Sequence, residues 1–384
     1  NGKKLSPHSK TWRIPDNWKS EAKINKELNR IAAEFELQCK SGKISVKNKT
    51  FKQYSNYVME LKSDVLKHRT FHRYKEFLER INPEIGHIKL NDLTAEHLNK
   101  FYKKLKSLGA NKHTGGPLSD QTIKSHHRFI HMILNQAVKE RIINYNIAKS
   151  ASPPKPIKKE AEYFELEDIL YIRDALITQP SKWKAITFLL IDTGARKGEI
   201  LGLKWSNLDF AKNQITFENN LQYTSERGTY LEESTKNYED RTINVAPEIM
   251  NILKEHKMEQ EEHRNLLGDI WHETGFCFTQ EDGKPMHPHS IYKWMDEFSK
   301  NNNLPKVRPH KSRHTHGSLL YELGENPIAI SKRLGHKQVS TTQDIYSHVL
   351  DKGDKKLSDT LANVLYRVQA NNDDILESKN KENK

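Results

Sequence analysis

Cysteine is nearly absent from these 384 residues: only Cys39 and Cys277 occur, far apart in the chain. Two thiols cannot build a disulfide framework or the paired spacing of a structural zinc site, so the sequence points to a reducing compartment and a fold held by packing. Long apolar runs are missing as well. No stretch approaches the ~20 residues that a membrane helix needs, and the polar start has no secretory core, which gives the expectation of a soluble, cytoplasmic protein without a membrane partner. Hydrophobic residues make up only 35% of the chain, lean for one large core, and the length suits two or three domains with modest cores. Negative charge is in short supply: 50 acidic residues stand against 63 Lys and Arg, a net charge of +13. Such an excess repels itself unless a polyanion shares the surface, and nucleic acid is the obvious one. Charge alone does not separate DNA, RNA and an anionic membrane.

The chain starts Asn1-Gly2 instead of with Met, which reads as a truncated or processed form. Thr11 to Ile14 reads as a short strand ending at Pro15, and residues 20–36 as a helix with Ile24, Leu28, Ile31 and Phe35 on one face. A strand and a helix alone make a poor domain, so this segment is expected to close a small module whose earlier strands are missing. From Phe51 to Ile147 the pattern is helical, broken by a Gly-rich polar stretch at 111–117 and restarted at Ser119. The last helix carries Phe129, Ile130, Ile133, Leu134, Ala137 and Val138 on one face, with Lys124, His126, His127 and Arg128 near its start. Those basic residues suit a DNA-facing helical module, or simply the solvated face of an ordinary bundle. Three prolines within four positions, Pro153, Pro154 and Pro156, mark a basic extended linker bearing Lys155, Lys158 and Lys159. Beyond it an apolar helix from Trp183 to Ile191 stops at Gly194, and a short helix runs from Lys197 to Leu203. Three strands are expected, around Ile215 and Phe217, Leu221 and Tyr223, and Thr242 to Val245, with a charged loop containing Gly228 between the last two. Helices are expected from Glu248 to the end. The fold class is mostly α with a small antiparallel β-sheet, that is, α+β.

Five segments carry chemistry in order: TGARKGEI at 193–200, the loop around Lys236, HKSRH at 310–314, LGH at 334–336 and TTQDIYSHV at 341–349. Together they supply what phosphodiester transfer without a metal needs. Two guanidinium forks, Arg196 and Arg313, suit the nonbridging phosphate oxygens as these gain charge. A phenol is a weak acid that can attack phosphorus and later leave, which suits Tyr346. The Lys236 ammonium suits delivery of a proton to the departing 5′ oxygen, while His310 and His336 suit the phenol proton and support of the phosphate. His314 reads as a structural neighbour and Glu199 as a partner that orients backbone or arginine groups. His310, His314, His316, His336 and His348 are of a type that binds metal, but the two arginines among them would repel a cation and no carboxylate accompanies them. The expectation is no metal and no cofactor.

These segments resemble the catalytic domain of the tyrosine recombinase, or phage integrase, family. The family's Arg-x-x-Glu is Arg196 to Glu199, its His-x-x-Arg-His is His310, Arg313 and His314, and its Leu-Gly-His leads through Thr341 and Thr342 to Tyr346. Lys236, followed by Arg241-Thr242-Ile243, matches the hairpin lysine. Lys311-Ser312 departs from the acidic or apolar pair more usual there, without touching a catalytic position. Residues 73–98 and 119–147 resemble the family's helical core-binding domain, and the first 40 residues the end of the arm-binding module of integrases from temperate phages and conjugative transposons of Gram-positive bacteria.

The resemblance implies a partial arm-type module at 1–45, a core-site DNA-binding domain at 48–148, a linker at 149–160, a catalytic domain at 161–350 and a tail with an inter-subunit helix at 351–384. The two larger domains would form a clamp on double-stranded DNA at core and arm-type sites. DNA contacts would come from Lys124, His127, Arg128, Lys155, Lys158 and Lys159. A homotetramer on two DNA sites, DNA-bending and excisionase accessory proteins, and a place at the bacterial nucleoid follow from the same resemblance. The reaction implied is integration and excision of a mobile element through a 3′-phosphotyrosine and a Holliday junction. Two rivals share many of these residues: a catalytically silent DNA-binding relative, and a type IB topoisomerase that only relaxes supercoils.

Overall fold

The computed structural model describes residues 12–15, 18, 20–40, 49–112, 114–157, 162–232, 240–336 and 338–339. The chain divides into two compact units, Asn1–Lys158 and Lys159–Lys384. Mostly helical, it carries small antiparallel sheets in the second unit only, among the described residues. None of its described helices is long and apolar enough to cross a membrane.

In the first unit α1 (Glu21–Lys40) forms as its apolar spacing predicts, with Arg30 tied to Glu27 and Glu34 along its surface. Ile24, Ile31 and Phe35 are half-buried, but Leu28 is exposed. The strand expected before it is not formed at residues 12–15. An extended segment needs a ladder partner to become a strand, and Trp12 instead meets Trp18 edge-on at 6.1 Å while the Lys23 ammonium lies over the Trp18 ring.

Four helices then build one core. In α2 (Phe51–Lys62) Thr50 and Gln53 cap each other's backbone amides reciprocally, which satisfies two donors that a helix start leaves open. Following are α3 (His68–Ile85), α4 (Ala95–Leu105) and α5 (Asp120–Lys139), the last capped by Ser119 as its sequence predicts. Phe51, Tyr54, Ile81, Leu98, Phe129 and Ile130 are fully buried between them. One expectation fails here. His126 does not join the basic surface of α5; it is 1% exposed, with its ring 4.3 Å from that of Phe77. The helical period puts position 126 on the same side as Phe129, Ile130 and Ile133, and that outweighs the polarity of the imidazole. Its Nδ1 donates to the Thr122 carbonyl at 2.8 Å. Beyond the 3₁₀ turn Ile147–Ser150, residues 151–157 form no regular element.

The second unit opens with α6 (Leu166–Leu176), α7 (Ser181–Thr193) and α8 (Lys197–Leu201). Buried α7 packs against α9 (Pro247–Leu267) and α11 (Pro309–Glu322), and its Ala185, Ile186, Leu189 and Leu190 are completely covered. Between α8 and α9 lie, among the described residues, five strands where three were expected. β1 (Leu208–Asp209), β2 (Gln214–Phe217) and β5 (Arg241–Asn244) form one antiparallel sheet in the order β1-β2-β5. β3 (Asn220–Thr224) pairs with β4 (Gly228–Glu232), part of the segment expected to be loop. Gly228 has φ +70° and turns the chain there at no steric cost, and β4 has no alternating burial to betray it in the sequence. The helical expectation from Glu248 onward is also interrupted. Residues 271–289 hold bridges between Lys204 and Phe276 and between Thr279 and Pro285 before α10 (Ser290–Asn301) begins. Gly275, Gly283, Pro285 and Pro288 break that stretch. The last described helix is α12 (Pro327–Leu334).

Burial of His126 has a pH consequence, since it pushes the imidazole pKa down to about 4 from the usual 6.5. The folded state keeps the ring neutral while the unfolded chain protonates it, so this stability is complete above about pH 6.5 and is lost as pH falls toward about 4. Urea midpoints measured between about pH 7 and pH 4.5 should fall less steeply for His126→Leu than for the parent, a difference of up to about 2 kcal/mol. Parallel slopes would contradict this assignment.

Candidate active site

Two helix ends meet in the second unit. Helix α7 ends at Gly194 and α12 at Gly335, each glycine in the left-handed conformation with φ +60° and +68°. Left-handed C-caps turn the final carbonyls outward, and both ends turn toward one side chain. Arg313, on α11 and 5% exposed, donates Nη1 to the Gly194 carbonyl at 2.7 Å and Nη2 to the Leu334 carbonyl at 2.8 Å. A guanidinium set against the negative ends of two helices offsets both the charge and the open carbonyls.

Arg196 follows two residues after Gly194. Its backbone amide and Nη1 each donate to the Glu199 carboxylate at 2.8 Å, and its Nη2 donates to the Gly335 carbonyl at 3.0 Å. Glu199 is 1% exposed, and a second arginine shares it. Arg241, the first residue of β5, donates Nη2 to Glu199 Oε2 at 2.6 Å and Nη1 to Oε1 at 3.2 Å. Its Nε donates to the Arg333 carbonyl at 3.0 Å.

The histidines sit around these guanidiniums. His310 follows Pro309 in the first turn of α11, its ring 6.4 Å from that of His314. Partial burial, then the charges of Arg313, Arg196 and Lys197, hold the His310 pKa below its ordinary value. His336 follows Gly335, its amide donating to the Ser331 carbonyl at 3.0 Å. Burial, and after it Arg313 and Arg196, push its pKa down to about 4. Both rings are therefore neutral at pH 7 and able to accept a proton or a hydrogen bond. His316, pushed down to about 3 by burial and by Arg333, donates Nδ1 to the Ile191 carbonyl at 3.0 Å and accepts from Arg333 Nε at 3.2 Å. Both of its nitrogens are thus engaged within the protein.

Of the residues singled out in the sequence, Arg196, Glu199, Arg313 and His336 converge on these two turns, with His310 in their electrostatic reach. Lys236, Thr341, Thr342 and Tyr346 lie outside the described residues, as do Lys158, Lys159 and the tail from 351. The other DNA-contact candidates belong to the first unit and its end: Arg128 and Lys155 are exposed, Lys124 is half-buried, and half-buried His127 shares a 2.8 Å hydrogen bond with the Tyr102 hydroxyl. Sequence reasoning overlooked Arg241 and Arg333. Arg241 stood in view only as a marker after the hairpin lysine, and nothing in the local pattern ties it to a glutamate 42 positions earlier.

Residues 162–352 match the Phage integrase family, and residues 50–152 match the phage integrase SAM-like domain. The chain is 28% identical over 305 residues to a XerC-like tyrosine recombinase of Caldanaerobacter subterraneus subsp. tengcongensis, covering 75% of each protein. To the ICEBs1 integrase of Bacillus subtilis it is 25% identical over 276 residues, covering 72% of each. In fold it is similar to the Tn1549 transposon integrase in complex with transposon right end DNA, with a TM-score of 0.67 at 18% identity over 82% of this chain and 99% of that one. A lambda integrase tetramer bound to a Holliday junction gives a TM-score of 0.52 at 15% identity, over 78% of each chain.

Gly194 generates a prediction. A Cβ there would lie 2.6 Å from Leu334 Cδ2 and 2.8 Å from His316 Cδ2, at a φ that L side chains rarely adopt. Gly194→Ala should therefore destabilise the second unit by about 1–3 kcal/mol, read as a lower urea midpoint. An unchanged midpoint would mean that the two turns are not tightly apposed.

Proposed function

The chain belongs to the phage integrase family of tyrosine recombinases, and from that premise we propose a site-specific recombination reaction with named residues in its steps. Tyr346 is the nucleophile. Its phenolate oxygen bonds to phosphorus, the bond from phosphorus to the 5′ oxygen breaks, and a 3′-phosphotyrosine is left on the DNA. Lys236 supplies the proton that the 5′ oxygen takes away, while His310 and His336 receive the phenol proton and support the phosphate. Arg196 and Arg313 hold the nonbridging oxygens as they gain charge. The reverse attack by a 5′ hydroxyl from a second duplex exchanges strands, so the bond broken is conserved and neither a metal nor ATP is called for. The observation that carries this reading is the fixing of both arginines on the Gly194 and Leu334–Gly335 turns beside His336. Donors held in place before the reaction need little reorganisation during it, where such preorganisation is worth most.

Helices of residues 48–148 bind the core site through Lys124, His127 and Arg128, and the linker lysines Lys155, Lys158 and Lys159 follow the phosphate backbone. Residues 1–45 belong to an arm-site module. Protomers join as a tetramer on two sites by passing the tail at 351–384 to a neighbour, through an apolar face of Leu357, Leu361, Val364, Leu365 and Val368. DNA-bending and excisionase proteins set direction.

The test uses nicked duplexes tiled across the DNA on either side of the chain's own gene. The wild type should form a covalent adduct with at least one. Tyr346→Phe should bind that duplex yet form none, and Arg196→Lys and Arg313→Lys should lose about 10²- to 10³-fold in adduct rate, since an ammonium cannot reproduce the fork. Adduct with Tyr346→Phe refutes the nucleophile. Binding without any adduct identifies a silent relative, and relaxation without exchange between two labelled duplexes identifies a topoisomerase.

Deleting residues from Lys355 onward addresses the assembly. Single-site binding should persist while synaptic complexes on gels decrease; undiminished synapsis would return that apolar face to its own subunit.

A further inference from the structure

We propose that Arg241 is a positioning residue for the site, holding Arg196 and the His336 turn in register with each other; this rests on the assignment of Arg196 and His336 above. The side chain is 9% exposed and joins three segments that are far apart in sequence. From β5 it reaches α8, where both terminal nitrogens bond the two oxygens of Glu199, the same carboxylate that fixes the Arg196 guanidinium and amide. It also reaches the last turn of α12 through Nε and the Arg333 carbonyl, three residues before His336. The Phe217 ring packs against its guanidinium at 4.8 Å. Gly335 lies so close that a Cβ there would stand 2.9 Å from Arg241 Nη1.

Two roles fit a cation in this place, and they differ in what they require. Neutralising the buried Glu199 carboxylate needs only a positive charge. Positioning needs a planar fork that grips Glu199 while a third N–H holds the Arg333 carbonyl, which an ammonium on a flexible stem cannot do at once. The geometry favours the second, because all three nitrogens are engaged, two on the Glu199 carboxylate and one on the Arg333 carbonyl. Loss of the fork would leave Arg196 alone to tie Glu199 to the Gly335 turn, and displacement of about 1 Å at a reacting centre is enough to slow it markedly.

Arg241→Lys keeps the charge and Arg241→Met removes it. The readout is single-turnover adduct formation on whichever tiled nicked duplex reacts best with the wild type, at saturating protein, and well below the unfolding midpoint of each variant. Arg241→Lys should bind the duplex within about twofold of wild type and cleave between about 10- and 100-fold more slowly; Arg241→Met, where it folds, should be slower still. A wild-type rate from fully folded Arg241→Lys would overturn the proposal and leave Arg241 as a counter-charge only. Arg196→Lys runs beside them: if it cleaves normally, the reading of the site itself has failed, and if it is inert while Arg241→Lys is normal, only the positioning role has. Absence of adduct with the wild type removes both.

Discussion

The negative ends of α7 and α12 share one buried guanidinium. Arg313 satisfies a terminal carbonyl of each helix, and without it two helix dipoles and two open carbonyls would face each other in a poorly solvated space. Both ends need a left-handed glycine, because Gly194 and Gly335 each lie where a side chain would strike a neighbour. The fold of the second unit thus converges on a single cation, and the rest of the site is arranged around it.

That arrangement concentrates positive charge. Arg196, Arg313, Arg241 and Arg333 gather near the two turns, with Glu199 as the buried carboxylate among them. Helix-end carbonyls do much of the balancing: Gly194, Leu334, Gly335 and Arg333 each accept from an arginine. Partial charges of dipoles stabilise a guanidinium without cancelling its field. A site built this way retains an attraction for an anion such as a phosphodiester, where full pairing with carboxylates would have removed it.

The histidines respond to the same field. Burial and neighbouring arginines hold His310, His316 and His336 neutral near pH 7, but their employment differs. His316 uses one nitrogen on Ile191 and the other on Arg333, and so braces α11 against α7 and α12. His316 is thereby committed to bracing, while His310 and His336 are the two imidazoles that the proposed reaction employs. Composition cannot make that division.

Much of this was open to reading in linear order. The +13 charge, the helical spacing around Phe129, the Ser119 cap, the stop at Gly194 and the ordered boxes around Arg196, His310, Arg313, His336 and Tyr346 are local or ordinal signals, and local periodicity and capping are set by neighbouring residues. What depends on distant partners was not legible. Burial of His126 depends on Phe77 arriving from another helix, β4 on pairing with β3, and the non-helical stretch at 271–289 on bridges to Lys204 and within itself. The union of Arg241 with Glu199 is of the same kind. By itself the sequence determined the chemistry on offer, because residue types and their order carry it. Only the tertiary structure decided which cations share Glu199 and which histidines are committed to packing, since hydrogen bonds and desolvation act between groups that the chain places side by side only on folding.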